Sequence, residues 1–133
     1  MATIFSRIVK GEIPAWKVAE SAQFLAFLDV RPLAKGHTLV IPKAETDYFF
    51  DLTDDELTGM ILFSKKVASA LRHTIPCLRV GMSVIGLEVP HAHIHLVPIN
   101  NMGDINFSKA TLAISPEEME AIAASIRSAF DHL

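Results

Sequence analysis

Apolar residues recur along the chain at two spacings, and the switches between them predict the elements. In Thr3-Ile4-Phe5-Ser6-Arg7-Ile8-Val9 the apolar positions are 4, 5, 8 and 9, the spacing of one short amphipathic helix. Gly11 and Pro14 then break the pattern. Three strand-like runs follow: Trp16 to Glu20, the aromatic-rich Phe24 to Asp29, and the β-branched His37 to Ile41, which ends at Pro42. The turn-prone stretch Arg31-Pro32-Leu33-Ala34-Lys35-Gly36 joins the last two. So short a connection predicts antiparallel pairing.

Thr53 and Glu56 have the spacing of a capping box and open the clearest helix, Thr53 to Arg72. Leu57, Met60, Ile61, Val67, Ala68 and Leu71 mark its predicted buried face. Beyond Pro76, Leu78 to Ile85 and Ala92 to Ile99 read as two more strands, separated by a turn near Gly86. A last helix starts at Ser115-Pro116-Glu117-Glu118, with an N-cap, a proline at the first helical position and an acidic first turn. Met119, Ile122, Ile126 and Phe130 give its buried face. Strands surround one long helix instead of alternating with several. The predicted fold class is therefore α+β, a mainly antiparallel five-stranded sheet with one long helix and a C-terminal helix.

Composition narrows the class without changing the elements. A length of 133 residues fits one domain over 1–133. Half the residues are apolar and 20% are charged, a globular balance. The formal net charge of -3 argues against a nucleic-acid partner, which needs a dense basic surface, but leaves room for a small anion held by a few placed groups. Cys77 is the sole cysteine, so neither an intrachain disulfide nor a thiolate metal motif is expected. Arg7 and Lys10 interrupt a start that has no apolar core, unlike a secretory signal. No apolar run approaches the roughly 20 residues of a membrane span. The expected location is the cytoplasm, with no membrane partner.

His91-Ala92-His93-Ile94-His95-Leu96-Val97 carries the candidate chemistry. On a strand, successive side chains alternate between faces. His91, His93 and His95 would share one face, and Ala92, Ile94 and Leu96 would pack on a core from the other. Three protonated imidazoles would repel one another, while three buried neutral ones each need a hydrogen-bond partner. An anion or a metal would make the row tolerable; solvated histidines on an edge strand are the bland alternative. A phosphate would accept several ring N–H groups, and imidazole suits both attack at phosphorus and proton transfer near neutral pH. Alternating histidines can also ligate zinc, with Glu88 the nearby carboxylate.

These residues resemble the histidine triad (HIT) family, specifically its Hint-like nucleotide-binding branch. Besides the triad and Leu96-Val97, the resemblance includes Thr3-Ile4-Phe5, Gly11-Glu12-Ile13-Pro14, Phe27-Leu28-Asp29-Val30-x-Pro32 and Gly36-His37-Thr38-Leu39-Val40-Ile41-Pro42-Lys43. It covers roughly residues 3 to 99; the tail after Asn101 adds little. The resemblance implies a HIT-like fold that binds a nucleoside monophosphate moiety of the AMP or GMP kind and cleaves a bond at the α-phosphorus. His93 would attack, giving a covalent nucleotidyl-histidine that water hydrolyses. His91 and His95 would orient it, hold the phosphate or assist the leaving group, with His37 nearby. Asp29 would accept hydrogen bonds from the ribose hydroxyls. Phe5, Ile8, Phe27 and Val30 would surround the base, and Gly86 and Glu88 are counted with the nucleotide-binding positions. A two-fold homodimer is implied as well.

Three departures qualify the match. Thr3 and Ser6 stand where many bacterial relatives carry a Cys-x-x-Cys that helps to bind structural zinc. No metal of that type, and no other cofactor, is expected. The loop before the triad reads Gly86-Leu87 where relatives have Gly-Gln, and Pro90 lacks a backbone N–H. The leading expectation is a hydrolase of purine nucleoside phosphoramidates or related conjugates. The alternatives are a dinucleoside polyphosphate hydrolase, a nucleotidyl transferase, a nucleotide-binding module with little turnover, and a metal-binding protein.

Overall fold

The structure, a computed structural model, describes residues 2–133. Five strands form one antiparallel sheet: β1 (Lys17–Glu20), β2 (Phe24–Leu28), β3 (Thr38–Pro42), β4 (Arg79–Ser83) and β5 (Ile94–Ile99), in the spatial order β1-β2-β3-β5-β4. Helices α2 (Asp54–Thr74) and α3 (Pro116–Asp131) pack on one face, and the short α1 (Ile4–Val9) packs on the other. The α+β expectation is met.

The helix starts follow from their caps. Thr53 and Glu56 exchange both capping-box hydrogen bonds, and the Ser115 hydroxyl accepts the Glu118 N–H ahead of Pro116. Each satisfies donors that the first helical turn cannot.

Strand alternation divides the core. Phe24, Ala26, Leu28, Val40, Ile94 and Leu96 face α2 and α3 with Met60, Val67, Leu71, Met119 and Ile126. Leu25, Phe27, Leu39 and Ile41 face the other way, against Phe5 and Ile8 of α1. The central strands are thus apolar on both faces, which explains why β2 and β3 are continuously buried.

Two strand limits differ from the sequence expectation by more than one residue. The β3–β5 register pairs Val40 with Ile94, so Pro42 would stand opposite Ala92. Proline has no N–H for the Ala92 carbonyl, and its own carbonyl accepts from His91 Nε2 at 2.8 Å. The Ala92 N–H donates instead to the Thr46 carbonyl at 2.6 Å, and β5 begins at Ile94 rather than Ala92. In β4 the last paired residue is Ser83, opposite His95, so the strand ends there and not at Ile85. The α2 face also differs: Ser64 and Ala70 are buried, whereas Ile61 is 42% exposed. Among the described residues, no helix is long and apolar enough to cross a membrane.

Candidate functional site

The triad lies on the α1 face of the sheet, opposite α2 and α3. His95 sits within β5, while His91 and His93 lie on the segment leading into it. The alternation still holds, because Ala92, Ile94 and Leu96 pack into the main core. His37 joins from the residue before β3, and Asp29 from the residue after β2. Three adjacent strands therefore deliver the four histidines and the carboxylate to one place. Gly36, at φ 90°, makes the tight turn ahead of His37, a conformation most side chains resist.

Backbone groups fix the rings of His91, His93 and His37, and His37 fixes that of His95, since a carbonyl only accepts and an amide N–H only donates. His91 Nε2 donates to the Pro42 carbonyl at 2.8 Å, so its Nδ1 accepts from the Thr3 hydroxyl at 2.9 Å. His93 Nδ1 donates to the His91 carbonyl at 2.7 Å, which leaves the lone pair of that ring on Nε2. The Leu33 N–H donates to His37 Nδ1 at 3.0 Å. His37 must then carry its proton on Nε2, which donates to His95 Nδ1 at 3.0 Å. His95 in turn holds its proton on Nε2. Ser64 Oγ is the one fully buried side-chain polar atom without a partner among the described residues. The free Nε2 atoms of His93 and His95 thus keep access to solvent.

Burial sets the charge state. Desolvation lowers the pKa of His37 to about 4. His95 is also lowered to about 4, first by desolvation and then by His37 and His93. His91 is lowered mainly by desolvation, against the opposing effect of the Pro42 carbonyl. Asp29 is raised by desolvation, partly offset by the Arg31 N–H on its Oδ1 at 2.9 Å. Asp29 Oδ2 stands 3.6 Å from His37 Nε2. With His37 neutral, that contact is a dipolar one and not an ion pair.

Asp29, His37 and His95 each place a donor atom within 4.8 Å of the others, a spacing that a cation could bridge. The Leu33 N–H works against this. A metal on Nε2 of His37 would move that ring's proton to Nδ1, where it would face another donor. The set fits a hydrogen-bond chain better than a metal.

Further residues shape the site, and two of them, Glu45 and Phe107, lie outside any matched motif. The Thr3 hydroxyl caps α1 by accepting the Ser6 N–H at 3.0 Å while it contacts His91. Glu45 accepts from Ser6 Oγ at 2.6 Å and from the Thr3 N–H at 3.0 Å; these hydrogen bonds, Ser6 first, lower its pKa. The two positions expected to lack zinc-binding thiols thus take part in a hydrogen-bonded cluster around His91. Phe5 presents its edge to His93, with centroids 5.1 Å apart, and touches Phe27 and His91. On the far side Phe107 lies 4.6 Å from His95, centroid to centroid. Phe107 is an isolated apolar residue in a polar, turn-rich stretch, which was its sole sequence signal.

Phe5, Ile8 and Phe27 are all buried, while Val30 is 70% exposed beside Asp29. Gly86, at φ 74°, lies in the long connection between β4 and β5, and Glu88 is exposed on the same loop before the triad.

An antiparallel α+β sheet that gathers alternating histidines from β5 beside a histidine from β3 defines the class. Residues 10–102 match the HIT domain family, and the chain belongs to that family. It is 37% identical to adenosine 5'-monophosphoramidase hnt1 of Schizosaccharomyces pombe over 130 residues, 96% of this chain and 98% of that one. It is 41% identical over 99 residues to an uncharacterized HIT-like protein of Methanocaldococcus jannaschii, covering 71% of this chain and 77% of the other. Among solved structures it resembles a Zn-bound histidine triad family protein from Mycobacterium smegmatis, with TM-score 0.82, 30% identity and coverage of 99% and 95%. A Hit-like protein involved in cell-cycle regulation from Bartonella henselae gives TM-score 0.83 at 28% identity, covering 96% and 95%.

Proposed function

We propose that this protein is a nucleotide-binding hydrolase that cleaves purine nucleoside phosphoramidates, or related nucleotide conjugates, at the α-phosphorus, with His93 as nucleophile. One observation carries the reading. The 2.7 Å hydrogen bond from His93 Nδ1 to the His91 carbonyl orients the ring and leaves Nε2 as its unshared, solvent-accessible lone pair. The near end-to-end match to a named adenosine 5'-monophosphoramidase supports the substrate class.

The first step forms a bond from His93 Nε2 to phosphorus and breaks the substrate's P–N bond. The bonding pair leaves with the amine nitrogen, which takes a proton from solvent. Water then attacks phosphorus, the His93–P bond breaks, its electron pair returns to Nε2, and the water's proton passes to solvent. His95 Nε2–H acts as a fixed hydrogen-bond donor to the phosphoryl oxygen as charge builds there. Its Nδ1 is held by His37, which disfavours a second proton on that ring. His91, with both nitrogens engaged, orients His93 through its carbonyl instead of touching phosphate. Asp29 accepts the ribose hydroxyls, and Phe5, Ile8, Phe27 and Val30 bound the nucleoside side. Gly86 and Glu88 flank the phosphate from the loop before the triad.

A homodimer fits the same reading. The strand order leaves β4 with an open edge, and Leu78 and Met82 there and Ile61 and Leu62 on α2 are exposed.

Adenosine 5'-phosphoramidate tests the activity directly. The protein should release AMP, and His93→Ala should abolish release while AMP binding persists. Full activity in that variant would overturn the assignment. AMP binding with no turnover of any conjugate by the unaltered protein would leave a binding module instead.

A further inference from the structure

The segment between β5 and α3 passes over the site as a strap, and its turns hold it in place. Asp104 Oδ2 accepts the Asn100 and Asn101 N–H groups at 2.6 and 3.0 Å. Ile105 packs against Gly81 of β4, where a Cβ would lie 2.5 Å from Ile105 Cδ1. Asn106 Oδ1 accepts both the N–H and the hydroxyl of Ser108, at 3.0 and 2.8 Å. Farther along, the Leu112 N–H donates to the Pro32 carbonyl at 2.9 Å, which ties the strap to the turn that follows Asp29. Phe107 stands between these anchors. Its ring lies 4.6 Å from His95 and 6.2 Å from His37, centroid to centroid, and is steeply inclined to both, at 66° and 73°. His95 and His37 are 8% and 2% exposed, whereas 39% of Phe107 remains open. The outer part of the ring thus meets solvent, and its inner part covers the junction of the two imidazoles.

We infer that Phe107 is a positioning residue: the strap holds its ring against the His37–His95 hydrogen bond and shuts water out of it, which keeps Nδ1 of His95 an acceptor and Nε2 a donor. The inference deepens the hydrolase reading above and rests on it. Both nitrogens of His37 are committed, Nδ1 to the Leu33 N–H and Nε2 to His95. Nδ1 of His95 is held by that one bond. Water both donates and accepts. At this junction it would take the His37 proton for itself and offer its own to His95, so that the two nitrogens of His95 would no longer be told apart by their partners. Away from water the bond is stronger and its direction persists. Burial comes first among the influences that keep His95 neutral; His37 of β3's approach and His93 ahead of β5 add to it, and Asp29 at the end of β2 opposes it. The strap contributes an apolar ring, which favours the neutral pair by excluding water.

NMR of protein carrying isotope-labelled histidine reads this hydrogen bond without any substrate. At neutral pH the His37 Nε2–H should give a signal protected from exchange with water, and His95 should show a single tautomer with its proton on Nε2. Phe107→Ala should lose the protected signal and mix the tautomers of His95. Phe107→Leu restores an apolar cover without an aromatic ring and should retain both features. Phe107→Gln, polar and of similar reach, is the second disrupting variant should the Ala protein fail to fold. With adenosine 5'-phosphoramidate, kcat of the Ala variant should fall about 10-fold, less than outright removal of a preorganised donor costs. KM should change less, and Phe107→Leu should recover most of the loss. A protected signal and a single tautomer in the disrupting variants would overturn the inference. So would an unchanged kcat beside a lost signal, or a Leu variant as impaired as the Ala variant. Failure of the unaltered protein to turn over any conjugate would overturn the hydrolase reading, and the role in catalysis with it. An active protein whose histidine signals are insensitive to Phe107 would overturn the inference alone.

Discussion

Nε2 of His37 donates to Nδ1 of His95 across 3.0 Å, and the direction of that hydrogen bond is dictated by the Leu33 N–H on the other side of the His37 ring. A backbone amide in the β2–β3 turn thereby decides which nitrogen of His95 carries its proton. In the proposed mechanism His37 is a positioning residue that acts through His95.

Replacing His37 tests this directly. His37→Phe removes the donor while keeping a ring, and kcat for adenosine 5'-phosphoramidate should fall about 10- to 100-fold, the scale of weakening one preorganised donor to a developing charge. KM should change less. His37→Gln places an amide N–H near the position of Nε2 and should recover part of the loss. Equal kcat for the Phe variant and the unaltered protein would remove His37 from the mechanism.

Stability should depend on pH through the same pair. His37 and His95 have folded-state pKa values of about 4 against an ordinary 6.5. Between those limits the unfolded chain binds more protons than the folded one, so stability falls as pH drops from about 6.5 to about 4. The loss across the pair is on the order of a few kcal/mol. Urea unfolding at stepped pH measures it, and His37→Phe should flatten the slope. A folded state no less stable at pH 4.5 than at pH 7 would contradict the buried, neutral assignment.

Thr3 links the α1 cap to the triad. Thr3→Val keeps the shape but leaves the Ser6 N–H and His91 Nδ1 without their partner. The cost should be about 1–3 kcal/mol in urea unfolding, and kcat should fall as the His91 carbonyl loses its restraint. Thr3→Ser should behave like the unaltered protein. A Val variant of undiminished stability would show that the Thr3 hydroxyl is dispensable.

Gly81 leaves room for Ile105, which anchors the strap. Gly81→Ala should push the ends of the Ile105 and Ile99 side chains aside, since its Cβ would meet their Cδ1 atoms at 2.5 and 3.1 Å. The cost in urea unfolding should be about 1 kcal/mol, the low end of overpacking, because flexible side-chain ends can yield. A loss well above that would mean that the strap backbone, and not only the Ile105 side chain, is displaced.

Much of this architecture is legible in the sequence where the signal is local. Thr53 with Glu56 and Ser115 with Pro116 mark helix starts, because a cap is satisfied within its own turn. The period of two at His91, His93 and His95 puts the rings on one face, even though the ladder starts only at Ile94. The start of β5 is not legible, because Pro42 comes to stand opposite Ala92 only in a register set by tertiary pairing. The partner of His91 lies 88 residues away at Thr3, and no periodicity joins the two. Ile61 fits the helical stripe and is exposed nonetheless, while Ser64 is buried, since the covered arc of α2 is set by its neighbours. Phe107 belongs to no repeat or motif, and only the fold of the strap brings it to His95.

The central claim is that His93 becomes nucleotidylated during turnover. A single-turnover reaction with adenosine 5'-phosphoramidate can be quenched at intervals into alkaline denaturant, which preserves a P–N bond, and mapped by peptide mass spectrometry. The account predicts one adenylyl group on the peptide carrying His93, appearing with amine release and decaying as AMP forms, and absent from His93→Ala. Amine release with no adenylylated peptide at any interval, or the label on His95 or His37, would contradict it.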